Sequence, residues 1–278
     1  VSDFTPGVAC ALSPLVRRIV APNPGPFTGP GTNTYLVGID EVAVVDPGVD
    51  DRAHLEAIVG AAMAERVRWV LLTHFHPDHF PGAMSLVERT GAEVLAFAKP
   101  PRGLDVKVDR ILRDGDTVEG TEFGLEALHT PGHAPEHLCF RLEEERAVLT
   151  GDTVLGGTWS VINPKRGGDM DAYLESLSRL ERLRLTRLYP AHGDVIMEPR
   201  ARVREYLDHR QARERQILGL LERGPRTVRG LVQDIYGDAN LHEQLVAAAG
   251  NQVHAHLLRC KRAGKVVGRS VTSSWSLA

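Results

Sequence analysis

The chain has 278 residues, of which 42% are hydrophobic and 25% charged, and its formal net charge is −3. This is the make-up of a globular protein large enough to bury a core unaided, and it excludes a disordered tail, a fibrous repeat and a disulfide scaffold. Cys10, Cys139 and Cys260 lie far apart and form no CxxC pair, which speaks for a reducing compartment and against a thiolate metal site.

Tyr35-Leu36-Val37 and Val42-Ala43-Val44-Val45-Asp46 read as neighbouring strands joined by a glycine-containing turn, the second ending at Asp46-Pro47-Gly48. Residues 51–66 carry Ala, Leu and Ile at helical spacing with acidic residues near the start, which predicts a helix over that span. Trp69-Val70-Leu71-Leu72 is too short for a helix and reads as a buried strand. Directly after it, Thr73-His74-Phe75-His76-Pro77-Asp78-His79 packs three imidazoles and a carboxylate into six consecutive residues. Pro77 argues against a helix there, so the cluster sits on a loop at the strand's end. In an extended loop His74 and His76 point the same way and can grip one ion, while Asp78 and His79 are placed for a second. A lone histidine is usually a surface or satisfied core residue, but burying four such groups together without a metal would strand several polar atoms. Imidazole and carboxylate donors suit zinc, with manganese or iron less favoured.

A helix over 81–90 stops at Gly91, and Glu93-Val94-Leu95-Ala96-Phe97 is the next strand. Three later segments repeat one arrangement, a polar residue at the end of an apolar run. His133 follows Leu125–His129 in a Pro-Gly turn, Asp152 follows Ala147–Thr150 and Gly151, and His192 follows Leu188–Ala191. Glycine beside each allows close backbone approach or positive φ. The loop from Trp159 to Gly168 carries Lys165 and Arg166, which read as ordinary surface charges or an attraction for phosphate or carboxylate. After a helix start at Asp169, Leu174, Leu177, Leu180 and Leu183 predict an apolar stripe.

The organisation changes near residue 200, which divides the chain into 1–200 and 201–278. A long polar helix is expected from Arg202 to Arg223 and a short one capped by Thr227. A third runs from about Leu241 to Arg262, followed by a two-stranded hairpin over Lys265–Arg269 and Ser274–Ser276. Three helices and a hairpin resemble a winged-helix module. Residues 201–278 hold thirteen Lys or Arg against seven Asp or Glu, a net +6, while 1–200 carry −9. A basic appendage on an acidic body suits a phosphate-rich partner, although a solvated helix face or a packing surface would look the same. No apolar run is long enough to span a membrane and the start lacks the order of an export signal, so a cytoplasmic protein without membrane contact is expected. Nothing in the pattern sets an oligomeric state.

The series HxHxDH, TPGH, TGD and YPAHG resembles the metallo-β-lactamase superfamily of binuclear hydrolases over the first two hundred residues. The resemblance implies an α/β fold, an αββα four-layer sandwich with metals at one edge. It also implies a ligand set: His74, His76 and His133 for one zinc, Asp78, His79 and His192 for the other, and Asp152 bridging. Between two such ions a water would be activated near neutral pH, with Asp78 handling the proton.

Asp152 and the missing export signal count against a β-lactamase, and His76 against the flavodiiron proteins, which carry Glu there. Glyoxalase-II-like thioesterases and RNA-processing members share the full set, and sulfur dioxygenases much of it. The segments GTNTYLVG, TPGHAPEHLCF and GDTVLGG, with the basic helical tail, are similar to the β-lactamase-like protein 2 group, which joins a catalytic domain to a winged-helix-like one. That group includes a nuclease for single-stranded RNA and fungal thioesterases that release polyketides. Two expectations follow: an endoribonuclease on single-stranded RNA, or a hydrolase of a small-molecule ester or thioester.

Overall fold

Strands that are apolar on both faces belong inside a parallel sheet, and Val42–Val45 and Val70–Leu71 are buried in that way. The computed structural model, which describes residues 4–237 and 242–278, places them at the centre of a seven-stranded sheet. Its strands, each bonded to the next, are β1 (Cys10–Ala11), β2 (Val16–Val20), β3 (Asn33–Val37), β4 (Glu41–Val45), β5 (Arg66–Leu71), β6 (Glu93–Ala96) and β7 (Arg110–Ile111). The first four run antiparallel, and β4 to β7 run parallel. Helices α1 (Arg52–Ala61) and α2 (Gly82–Thr90) make the crossovers on either side of β5.

A second sheet follows, built from β8 (Thr117–Glu119), β9 (Gly124–His129), β10 (Leu138–Leu142), β11 (Ala147–Gly151) and β12 (Arg187–Pro190). Its order is β12-β11-β10-β9-β8, with only the β11–β12 pair parallel. The two sheets share one core, in which Val37, Val45, Trp69 and Leu71 of the first meet Leu125, Ala127, Phe140 and Leu149 of the second. The other face of the first sheet is covered by Leu55 and Ile58 of α1 and Ala83 and Leu86 of α2. Each fully buried Val, Leu, Ile or Phe among them contributes about 1.5–3 kcal/mol. A one-residue slip of any of these strands would carry its side chains to the opposite face of the sheet, so the register is firmly set. Asp46, the His74–His79 loop, Asp152 and His192 all follow the C-terminal ends of β4, β5, β11 and β12, where parallel pairing gathers strand ends at one edge.

The described residues form two compact units. Those up to Thr130, in Glu136–Thr158 and in Arg184–Pro199 make the first, which holds both sheets; Pro131–Pro135, Trp159–Leu183 and those from Arg200 onward make the second. The second therefore also contains two segments of the 1–200 stretch. Its elements are α3 (Met170–Glu181), α4 (Pro199–Glu222), β13 (Arg226–Thr227), α5 (Val228–Tyr236), α6 (Glu243–Arg262), β14 (Val266–Val267) and β15 (Ser274–Leu277). Ile217, Leu221, Leu231, Val253, Leu257 and Trp275 form its core.

Several expectations are corrected in detail. Asp51 caps α1 by accepting from the His54 amide at 2.9 Å, but the helix stops at Ala61, because Arg66 already bonds Asp40 and opens β5. On α3, capped by Asp169, the buried residues are Met170, Tyr173, Ser176, Leu177 and Leu180, with Leu174 and Leu183 only half-buried. A strict three-residue spacing drifts around a 3.6-residue helix, so that stripe could not stay on one face. Thr227 caps α5 as expected, its hydroxyl accepting from the Gly230 amide at 3.1 Å. The hairpin gains a third strand, since Arg226 and Thr227 pair with Trp275 and Ser274. The expected start of the third helix at Leu241 falls outside the described residues.

Candidate metal centre

Strand β5 ends at Leu71, and the chain then runs through Thr73 to His79 outside any helix, in a turn across Pro77 closed by the His79 amide donating to the His76 carbonyl at 3.0 Å. In the first unit His74, His76 and Asp152 each offer a ligand atom within 4.8 Å of the others, and Asp78, His79 and His192 do the same. His79 Nε2 stands 3.6 Å from both Asp78 Oδ2 and Asp152 Oδ1, and His192 Nε2 stands 3.3 Å from both. These distances exceed an ordinary N–H···O bond of about 2.9 Å. They match the edge of a tetrahedron about a cation with donors at about 2.0–2.1 Å. His79 Nε2 is fully buried and has no hydrogen-bond partner among the described residues. A divalent cation would satisfy it, so the donor set fits a metal.

The surrounding groups fix which imidazole nitrogen each ligand presents. Asp46 Oδ2 lies 2.8 Å from His79 Nδ1, so that nitrogen carries the proton and Nε2 the lone pair. Thr73 donates its hydroxyl to Asp46 Oδ2 at 2.7 Å, so its oxygen accepts from His74 Nδ1 at 3.0 Å. His74 then also turns Nε2 inward, where it lies 2.9 Å from His76 Nδ1. The turn carrying His192 is held from β3: Asn33 Nδ2 donates to the carbonyls of Pro190 at 2.8 Å and Gly193 at 2.9 Å. The Asp152 amide donates to His137 Nε2 at 3.0 Å.

Charge follows the same geometry. Burial opposes ionisation of Asp78, but His79 and His192 outweigh it and hold the carboxyl at about 2. Asp152 is held well below the usual carboxylate range in the same way, by His192 and His79 against burial. Burial resists protonation of His192, yet Asp152 and Asp78 push it up to about 9. His79 is raised well above the ordinary range by Asp78, Asp46 and Asp152, again against burial. Asp78 is the most exposed of these four, with 27% of its side chain accessible against 11% for Asp152 and 3% or less for the two histidines.

His133 lies in the Pro131–Pro135 turn of the second unit and is buried, with Nδ1 2.8 Å from the Val161 carbonyl oxygen. A carbonyl can only accept, so Nδ1 carries the proton and Nε2 keeps the lone pair in this tautomer. Lys165 and Arg166 sit exposed on a single helical turn, Pro164–Arg166. Sequence reasoning missed Asp46, Thr73 and His137 as orienting groups. The available signal for Asp46 was a carboxylate at the end of an apolar strand, directly before Pro47-Gly48.

Residues 27–192 match the Metallo-beta-lactamase superfamily. An atrochrysone carboxyl ACP thioesterase of Aspergillus chevalieri is 37% identical over 239 residues, covering 81% of this chain and 74% of that protein. A beta-lactamase-like protein 2 homolog of Caenorhabditis elegans is 33% identical over 244 residues, covering 85% and 81%. Among solved structures, a metallo-beta-lactamase family protein of Thermus thermophilus aligns with a TM-score of 0.78 at 27% identity, over 96% of this chain and all of that one. With the ligand series at one sheet edge and these relatives, the chain belongs to the metallo-β-lactamase superfamily and is one of its hydrolases.

Proposed function

We propose that the protein is a binuclear zinc hydrolase of small-molecule thioesters. The observation that carries this is its 37% identity, across most of the chain, to an atrochrysone carboxyl ACP thioesterase. In this reading His74, His76 and His133 hold one ion, Asp78, His79 and His192 the other, and Asp152 bridges them. Imidazole and carboxylate donors favour zinc over manganese or iron. Two ions held there would supply a water-derived nucleophile at neutral pH and Lewis-acid polarisation of a carbonyl.

The remaining work falls to the chain. Asp46 and Thr73 fix the tautomers of His79 and His74, and His137 holds the Asp152 backbone. Asp78 is the most accessible of the four clustered groups and stands 3.3 Å from His192, a position from which it would receive a proton during attack and return it to the leaving group. The C-terminal helices and three-stranded sheet fit a winged-helix-like module.

Endoribonuclease activity on single-stranded RNA is a second reading, favoured by the net +6 of residues 201–278. Incubating one zinc-loaded preparation with a panel of acyl-thioesters and with labelled single-stranded RNA separates the two. Thioester turnover lost in His76→Ala supports the first reading. RNA cleavage lost in the same variant, without thioester turnover, replaces it by the second, and such cleavage should weaken steeply with salt.

A further inference from the structure

His133 is positioned by a backbone strap, and the strap is held by the C-terminal helices. Its Nδ1 faces the Val161 carbonyl at 2.8 Å and the Ser160 hydroxyl at 3.3 Å. The peptide groups on both sides of Val161 are clamped. Gln252 of α6 donates Nε2 to the Ser160 carbonyl at 2.8 Å and accepts from the Ile162 amide through Oε1 at 3.1 Å. Arg210 of α4 donates to the same Ser160 carbonyl at 2.6 Å. Ser160, Ile162 and Arg210 are all but inaccessible, and Gln252 is 9% exposed.

Energetics favour a positioning role over a purely stabilising one. A buried guanidinium is expensive to desolvate, and an apolar side chain of similar volume commonly stabilises a core as well or better. Among the described residues no carboxylate pairs with Arg210 to account for its burial. It meets instead the Ser160 carbonyl and the faces of Tyr173 and Tyr206, with ring centroids at 5.3 Å and 6.0 Å. The Gln252 amide reads one C=O and one N–H two residues apart, as a neighbouring strand would, and so fixes the intervening peptide's direction. Trp159, at the head of the strap, stacks on His209 of α4 at 4.0 Å between ring centroids. This arrangement sets the direction of the Val161 carbonyl, and through it the tautomer and tilt of His133.

We propose that Gln252 and Arg210 are positioning residues for the metal ligand His133, so that the C-terminal helices tune the affinity of one of the two ions. This rests on the ligand assignment made above for His133.

The test uses the full-length protein titrated with Co²⁺ against a chromophoric chelator, followed by the visible absorption of the bound metal. Gln252→Met, close to isosteric but unable to make either bond, should weaken one of the two ions about 10–100-fold and alter its absorption band. Gln252→Glu keeps the acceptor for Ile162 but sets a second acceptor against the Ser160 carbonyl, so it too should weaken that ion. Arg210→Met should act in the same direction. Val246→Ala, at an exposed position on α6, should change nothing. His133→Ala distinguishes the two levels of the argument. If it binds both ions as the wild type does, the ligand assignment fails. If it loses one ion while folded Gln252→Met and Arg210→Met keep wild-type affinity and spectrum, the ligand assignment stands and this inference is overturned. Should Gln252→Met not fold, Gln252→Glu decides by the same criterion.

Discussion

Asp46 Oδ2 accepts from His79 Nδ1 at 2.8 Å, and the same oxygen accepts from the hydroxyl of Thr73, which in turn faces His74. One carboxylate therefore orients a histidine in each of the two ligand groups. Asp46→Asn should preserve the fold, because asparagine tolerates the left-handed backbone found here and can still accept from the Thr73 amide. It cannot accept from both donors that share Oδ2. Affinity for both ions should fall by about 10–100-fold, read by chelator competition, with little change in far-UV circular dichroism. Wild-type affinity in the folded variant would show that the tautomers are set elsewhere.

Gly193 has φ 83°, and a Cβ on it would overlap the carbonyl oxygen of Gly156. Gly193→Ala meets two penalties, about 1–2 kcal/mol for the left-handed backbone and the cost of pushing Gly156 away. A loss of at least about 2 kcal/mol is expected by urea denaturation. Since Gly156 also donates to the His192 carbonyl, metal content should fall with it. A neutral effect on both would contradict the close packing of this turn.

Asp78→Ala should lower kcat for the substrate that is turned over by about 10²–10⁴-fold, the usual worth of a positioned acid–base group. It should also weaken the ion shared with His79 and His192. Stopped assays on metal-saturated enzyme separate the two effects. A folded variant that holds two ions and turns over at the wild-type rate would remove Asp78 from the chemistry.

His256 in the second unit is 1% exposed, and neither ring nitrogen has a hydrogen-bond partner among the described residues. Burial first, and then Arg210, Arg213 and Arg259, push its pKa down to about 3. Between that value and about 6.5 the unfolded chain binds a proton that the folded chain refuses. The contribution is therefore fully present above pH 6.5 and is lost as pH falls through this window. From pH 7 to pH 5 the loss is about 2 kcal/mol. His256→Phe should remove that share of the acid sensitivity, while His54 and His209, both depressed to about 4, keep theirs. Denaturation midpoints at pH 5, 6 and 7 measure it, and an unchanged slope in the variant would contradict the assignment.

How much of this was legible in the sequence follows from where each partner lies along the chain. The candidate ligands stand out because they crowd at strand ends, four of them within six residues. The fold class was equally plain, since apolar strands alternate with amphipathic helices. The role of Asp46 was not, because His79 lies 33 residues away and the meeting depends on β4 and β5 pairing parallel, Val45 beside Leu71. Gln252 looked like one more polar residue on a helix, since its partners lie about ninety residues earlier. The leucine stripe on α3 was half right, because the helical angle keeps Leu177 and Leu180 on the buried face but adds Tyr173 and Ser176 in place of Leu174.

Metal stoichiometry of the purified, folded protein tests the central claim most directly. After saturation with zinc and removal of excess by gel filtration, elemental analysis should find two ions per chain, falling to about one in His192→Ala. Fewer than one ion bound per wild-type chain would contradict the binuclear site and the hydrolytic mechanism built on it.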